Sequence, residues 1–380
     1  MNPLENYRVL DLTDEKGMLC SKLLADMGAE VIRLEKPGQK VARVYANSGK
    51  HSLTLEIESP KGRDLFKRIV KDFDILVESF PPGYLDSLGL NYTELEPINP
   101  GLIMASITNF GQTGPYRDFK SSDLVAAALG GQLSVCGEPD KPPLKPFGPQ
   151  AHNTACLFAA NGILLALWQR HTSGKGQYLD ISIQESVAAT LDHVLVRYFS
   201  EGELAQRSGS LYWNKAFRIF PSKDGYILLS LLHQWETLVE WLDSEGMAED
   251  LVDSKWQIAV ERRDNIDHII EVLEKWTRTH TTDQLVELGQ MMHFPWAKVA
   301  SIPEVVNSPQ LNERGFFIEA TDHDSGRSFK YPGAPFKMSQ SPLLPNTIVP
   351  VAGEYNREFY HLKLGLTEIE IAVLAREGVI

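Results

Sequence analysis

The sequence predicts an α/β protein that opens with a doubly wound parallel sheet and continues into a second domain. Three observations carry this. Short apolar runs alternate with amphipathic stretches from residue 7 to residue 107, the pattern of buried parallel strands joined by helices. The composition changes near residue 205, where a polar, Gly-containing segment precedes a strand pair and amphipathic helices. At 380 residues and 43% hydrophobic content, the chain is long enough for more than one core.

Tyr7 to Leu12 reads as a strand, Met18 to Met27 as an amphipathic helix ended by Gly28, and Val31 to Leu34 as the next strand. These make one β-α-β unit, and the loop inside it lacks the G-x-G-x-x-G of a nicotinamide site. The loop after the second strand carries Arg33, Lys36, Lys40, Arg43 and Lys50 within eighteen residues. Two readings stand side by side: a solvated surface loop, or a phosphate receiver at the carboxyl edge of an open sheet.

Strand His51 to Ile57, helix Pro60 to Lys71, and strands Ile75 to Glu78 and Leu102 to Ile107 continue the alternation. Asn109 to Tyr116 is a Gly- and Pro-containing loop fit for close approach to a ligand or for a plain turn. Ser122 to Gly131 is a helix of small residues. The stretch Pro146 to Ser182 is a loop, a helix and the strand Tyr178 to Ser182, with His152 where the chain enters the helix. A helix runs from Gln184 to Phe199. The second domain holds a hairpin from Ala216 to Leu232 turning at Lys223-Asp224-Gly225, then helices near Gln234–Leu242, Arg262–Thr277 and Thr282–Met291. Phe294 to Ile302 reads as a strand, Ser308 to Phe317 as a return toward the first domain, and Leu364 to Ile380 as a closing helix.

A net charge of −13 argues against a nucleic-acid partner, so an anionic ligand must be met by local cations. No continuous apolar run approaches the roughly 18 residues of a membrane span, and the first ten residues lack a signal-peptide pattern. The expectation is a cytoplasmic protein without a membrane partner. Cys20, Cys136 and Cys156 lack metal-ligand spacing, and no metal site is expected.

Several stretches, in order and almost end to end, resemble the class III CoA-transferases. They are VLDLT at Val9 to Thr13, LLADMGAEVIRLEKPG at Leu23 to Gly38, NSGKHSLTLEI at Asn47 to Ile57 and DILVESFPPGYLDSLGL at Asp74 to Leu90. NPGLIMASITNFGQTGPY at Asn99 to Tyr116, ANGILLALWQRHTSGKGQYLDISIQESV at Ala160 to Val187, SPQLNERGFF at Ser308 to Phe317 and residues Val351 to Ile380 complete the set. The resemblance implies a large domain with a Rossmann-like open sheet built from residues 1–205 and 311–380, and a smaller α+β domain inserted at 206–310. It also implies two interlocked chains, either self or a paralogous subunit.

Acyl-CoA and a carboxylic acid are the implied substrates, and no cofactor is permanently bound. By position, Lys16, Arg33, Lys36, Arg43, Phe80 and Pro82 fall where the family contacts CoA. Gln112, Asp123, Tyr212 and Trp213 are candidates for the acyl pocket, with turn formation or core packing as the ordinary alternatives. The implied chemistry is attack of an aspartate carboxylate on the thioester, giving an enzyme-bound mixed anhydride that CoA thiolate then opens.

Counting back from Ala166-Leu167, His152 stands at the position of that aspartate. Three readings are open: an alignment slip, a histidine nucleophile giving an acyl-imidazole, or a chain whose partner supplies the aspartate. The last resembles the noncatalytic subunit of succinyl-CoA:(R)-benzylsuccinate CoA-transferase, a heteromeric member of the family. A CoA-binding regulatory or structural homologue without turnover is the alternative. Racemisation is rejected, because Ser122, His152 and His233 occupy the places of that branch's acid and base residues.

Overall fold

In a computed structural model, residues 2–39, 45–211, 217–230, 234–321, 328–343 and 348–380 are described. Of the residues named above, Lys40, Arg43, Tyr212, Trp213, Ala216, Leu232 and His233 lie outside them. Two compact units emerge, one from residues 1–133, 145–204 and 310–380, the other from 134–144 and 205–309.

The first unit is built on six parallel strands, β1 Arg8–Leu12, β2 Glu30–Glu35, β3 His51–Thr54, β4 Ile75–Glu78, β5 Ile103–Thr108 and β6 Tyr178–Ser182. Their order across the sheet is β3-β2-β1-β4-β5-β6, the doubly wound arrangement. All of β4 and β5 is buried, as expected for strands covered on both faces.

Side chains alternate between two cores. Leu10, Ile32, Leu53, Leu76 and Met104 face helix α2, Pro60–Ile69, and the C-terminal residues Tyr355, Phe359 and Tyr360. Val9, Val31, Ile75, Ile103 and Ala105 face α1, Met18–Asp26, together with α3, Asp123–Leu129, α4, Gln150–Ser173, and α5, Ile183–Ala189. The face that α4 turns inward is rich in small residues, Ala151, Ala155, Ala159 and Ala166, so the helix seats close to the sheet. By length and hydropathy α4 also matches a membrane span, although half of that apolar stretch is buried within the fold.

The helix read from Gln184 to Phe199 is broken: α5 stops at Ala189 and a second helix runs from Asp192 to Glu201. In the other unit β7 Phe217–Pro221 and β8 Tyr226–Ser230 form the expected hairpin, and α6 Trp235–Ser244, α7 Ile266–Thr277 and α8 Thr282–Met291 pack on it around Trp241, Trp276 and Trp296. The strand expected over Phe294 to Ile302 shrinks to β9, Ala297–Lys298. Ser301 and Glu304 form a capping box there and start a short helix instead. A hairpin of β10 Phe317–Thr321 and β11 Ser328–Pro332 was not legible in the sequence. The closing helix is α9, Glu368–Arg376.

Candidate active site

The strand order reverses between β1 and β4, and the carboxyl ends of those strands open into the place where doubly wound sheets take ligands. A cleft of 460 Å³ lies there, lined by Thr13 and Asp14 after β1, Arg33, Glu35 and Lys36 at the end of β2, Glu56 and Glu58 after β3, and Ser79, Phe80, Pro81 and Tyr84 after β4. Phe80 and Tyr84 pack ring to ring with centroids 4.6 Å apart, giving one wall an aromatic surface.

Of the five cations singled out in the sequence, Arg33 and Lys36 line this cleft. Lys36 is held by Glu56 at 3.1 Å and by Glu58 at 3.4 Å, so an anion taken up there competes with two carboxylates. The Arg33 Nε donates to Glu35 at 3.1 Å, and its Nη1 stands 3.7 Å from Asp11. Lys50 does not reach the cleft. It is buried beneath the sheet edge, donating to Asp11 at 2.8 Å, the Met18 carbonyl at 2.9 Å and Ser21 at 2.9 Å. Burial works to raise the Asp11 carboxyl, but Lys50 and Arg33 prevail and hold it down at about 2. The phosphate-receiver reading is therefore corrected for Lys50, because a buried lysine needs its carboxylate partner more than a surface anion. Pro82 stands beside the cleft, and its neighbour Pro81 is the proline in the lining.

The turn after β1 leads from the cleft toward α4. Asp14 accepts from Ser79 at 2.8 Å and pairs with Lys16, and the Lys16 carbonyl accepts from Cys156 Sγ at 3.2 Å. Cys156 lies one turn along α4 from His152. The turn Asp14-Glu15-Lys16 is thereby pinned beside the start of that helix.

His152 lies in the first turn of α4, 4% exposed. Pro149 precedes the helix without a side-chain cap, and the capping role is taken from a distance: the Asp123 carboxylate accepts the His152 backbone N–H at 3.0 Å. Lys145 pairs with the same carboxylate at 3.0 Å. Burial lowers the pKa of the imidazole, with Asp123 and Glu15 acting in the opposite direction, and the ring is favoured in its neutral form. Its Nε2 has no hydrogen-bond partner among the described residues. The fold thus brings His152, Asp123 and Lys16 together, while Gln112 lies in a different cleft on the other side of the Glu78–Tyr84 turn.

Sequence reasoning missed Glu78, the last residue of β4. Burial pushes its carboxyl up to about 7, and one oxygen accepts the Phe80 N–H at 2.7 Å. A charged residue ending a fully buried apolar strand was the available signal.

An open parallel sheet with a cation-bearing cleft at its reversal point and a long helix beginning nearby defines a doubly wound α/β protein with its cleft at the position where such sheets take ligands. The chain belongs to the CoA-transferase family III, whose model matches residues 4–356. It is similar to the succinyl-CoA–D-citramalate CoA-transferase of Chloroflexus aurantiacus, 32% identical over all of this chain and 98% of that protein. Subunit BbsE of the succinyl-CoA:(R)-benzylsuccinate CoA-transferase of Thauera aromatica is 31% identical, over 98% of this chain and 97% of that one. A crystal structure of a CaiB/BaiF family protein from Brucella suis superimposes with a TM-score of 0.85 at 26% identity, covering 95% of this chain and all of the other. Class III CoA transfer is accordingly the reaction type of this protein.

Proposed function

We propose that this chain is one subunit of a heteromeric class III CoA-transferase, moving CoA from an acyl-CoA thioester to a carboxylic acid, and that an interlocked paralogous subunit supplies the aspartate that His152 replaces. The observation that carries this is His152 itself: a buried, neutral imidazole with an unpartnered Nε2 at the helix N-terminus where a carboxylate nucleophile is expected. An imidazole there lacks the second oxygen that lets a carboxylate act as nucleophile and then as leaving group in anhydride exchange. CoA lies in the cleft of Arg33, Lys36, Phe80 and Tyr84, with its thioester end toward Asp14, Lys16 and His152. Both relatives named above carry succinyl-CoA in their names, which favours succinyl-CoA as donor.

The test is to purify the chain alone and together with a co-expressed family member that carries the aspartate. The lone chain is expected to bind CoA without turnover, and the pair to exchange CoA between succinate and a second acid. Full activity of the lone chain overturns the partner reading. Hydroxylamine added with acyl-CoA traps an acylated intermediate in the active pair; its absence from every combination favours a CoA-binding homologue without turnover, which the missing carboxylate also fits. His152→Asp is expected to give the lone chain measurable exchange if the rest of its site is intact.

A further inference from the structure

The turn from Glu78 to Tyr84 is a partition. Phe80, Pro81 and Tyr84 line the 460 Å³ cleft of Arg33 and Lys36 on one side, while Glu78, Pro81 and Gly83 line a second cleft, of 290 Å³, on the other. Three side-chain anchors hold it. The Ser79 hydroxyl donates to the Asp14 carboxylate at 2.8 Å, the Tyr84 hydroxyl donates to Glu58 at 2.9 Å, and Glu78 accepts the Phe80 N–H at 2.7 Å. The carboxylates of Asp14 and Glu58 are open to solvent, whereas Glu78 is buried. An exposed carboxylate shares its hydrogen bonds with water, and a buried one has no such competitor.

Glu78 is a costly residue where it stands. It ends a strand whose other members, Ile75, Leu76 and Val77, are buried and apolar, and burial pushes its carboxyl up to about 7. A group that weakens the fold once it ionises calls for a task outside the core. Its one printed backbone contact leads to Phe80, whose ring packs on that of Tyr84 with centroids 4.6 Å apart, so what fixes the Phe80 backbone also fixes the pair.

We propose that Glu78 is a positioning residue for CoA: from behind the partition its carboxylate fixes the Phe80 backbone, and with it the aromatic surface of Phe80 and Tyr84 against which the ligand lies. This rests on the reading that places CoA in the cleft of Arg33 and Lys36. Glu78 lines the other cleft and acts through Phe80, so it has no part in the chemistry itself. A carboxylate accepts an N–H more strongly than a neutral carboxyl does, and the wall is therefore firmest with Glu78 ionised. From the turn after β1 Lys16 favours the ionised form and Asp14 opposes it. Ser106 lies in register with Glu78 on β5, Tyr178 faces it from β6, and Asp86 and Arg117 share its cleft.

The experiment is calorimetric titration of the full chain with CoA, without a partner, at pH 6 and pH 8, for the parent, Glu78→Gln and Glu78→Leu. At pH 8 Glu78→Leu, which removes the acceptor, is expected to bind about tenfold more weakly. Glu78→Gln keeps a neutral acceptor and is expected to match the parent at pH 6 but to fall about three- to fivefold behind it at pH 8. The CoA phosphates titrate alike in all three proteins, so the ratio of parent to variant isolates Glu78. Thermal melts at each pH separate loss of binding from loss of fold, and a variant that is more stable yet binds less is the signature of positioning rather than packing. Parent-like affinity in Glu78→Leu overturns the proposal, as does a ratio of parent to Glu78→Gln that stays constant between pH 6 and pH 8. A parent protein that binds no CoA sinks the placement of CoA and this proposal with it, whereas a parent that binds CoA beside unaltered variants sinks the proposal alone.

Discussion

Two polar clusters lie at the start of the helices that cover one face of the sheet, and they are completed to different degrees. Around Asp11 each place is taken: Thr13 donates from its N–H at 2.9 Å and its hydroxyl at 2.6 Å, Ser21 at 2.7 Å and Lys50 at 2.8 Å. Around His152 the Asp123 Oδ1 accepts a backbone N–H and its Oδ2 faces Lys145 at 3.0 Å, but that Oδ2 and the imidazole Nε2 have no hydrogen-bond partner among the described residues. The carboxylate of Asp11 is fully engaged and ties β1, α1 and the approach to β3 together, although Arg33 Nη1, 3.7 Å away, has no hydrogen-bond partner among the described residues. The His152 network keeps two buried atoms without hydrogen-bond partners, a cost that calls for an explanation which packing within the chain does not give.

The comparison breaks most sharply at Lys50. Lys50→Met leaves the Asp11 charge buried without its main partner and is expected to cost about 3–5 kcal/mol in urea unfolding. A cost near zero shows that the closed cluster is not what holds these elements. The pH dependence runs the same way: with a folded pKa of about 2 against 3.8, Asp11 adds stability above pH 4 that is lost as pH falls through 2. Asp123→Ala frees one N–H and strands Lys145, an expected loss of about 1–3 kcal/mol, smaller because Lys145 is partly solvated.

Glu78→Gln tests a third kind of site. The native carboxyl is raised from 4.5 to about 7, so its protonation stabilises the fold below pH 4.5, and that gain is lost as pH rises through 7. The variant is expected to be more stable than the parent at pH 8 than at pH 5, by about 1–2 kcal/mol in paired thermal melts. The smallest effect sharpens the open cluster: proton NMR of the His152 ring is expected to give a midpoint below 6.5, since burial favours the neutral imidazole. A midpoint above 6.5 shows instead that Asp123 and Glu15 dominate and that the ring is cationic.

The parallel sheet was legible because its strands are short apolar runs at regular intervals; Ile75–Glu78 and Tyr178–Ser182 agree residue for residue. The Phe294 to Ile302 segment failed because periodicity there competes with Pro295 and with the capping box of Ser301 and Glu304, a local hydrogen-bonding device that outweighs strand propensity. β11 was missed because Ser328 to Lys330 are exposed and carry no alternating apolar face. Within the site, the cations were legible as a group but not their fates. The carboxylate inside Leu10-Asp11-Leu12 signals that some buried cation must meet it, yet which one depends on register between distant strands. The rise of Glu78 depends on how closely β5 covers it, and no spacing in the sequence expresses that.

The edge of the sheet at β3 is finished by residues from far along the chain. The Tyr360 hydroxyl donates to the Thr54 carbonyl, 306 residues away, and the Glu56 N–H donates to the Val379 carbonyl. During synthesis at about 5–20 residues per second, β3 therefore emerges roughly 15–60 seconds before its covering segment. Throughout that interval an incomplete sheet edge, with the cleft of Arg33 and Lys36 beside it, is exposed to chaperones and to neighbouring nascent chains, while the inserted unit is already whole. A ribosome stalled before residue 355 holds a protein with one folded part and one unsealed part, and ligand binding at the β2–β3 side of the cleft reports the moment of sealing.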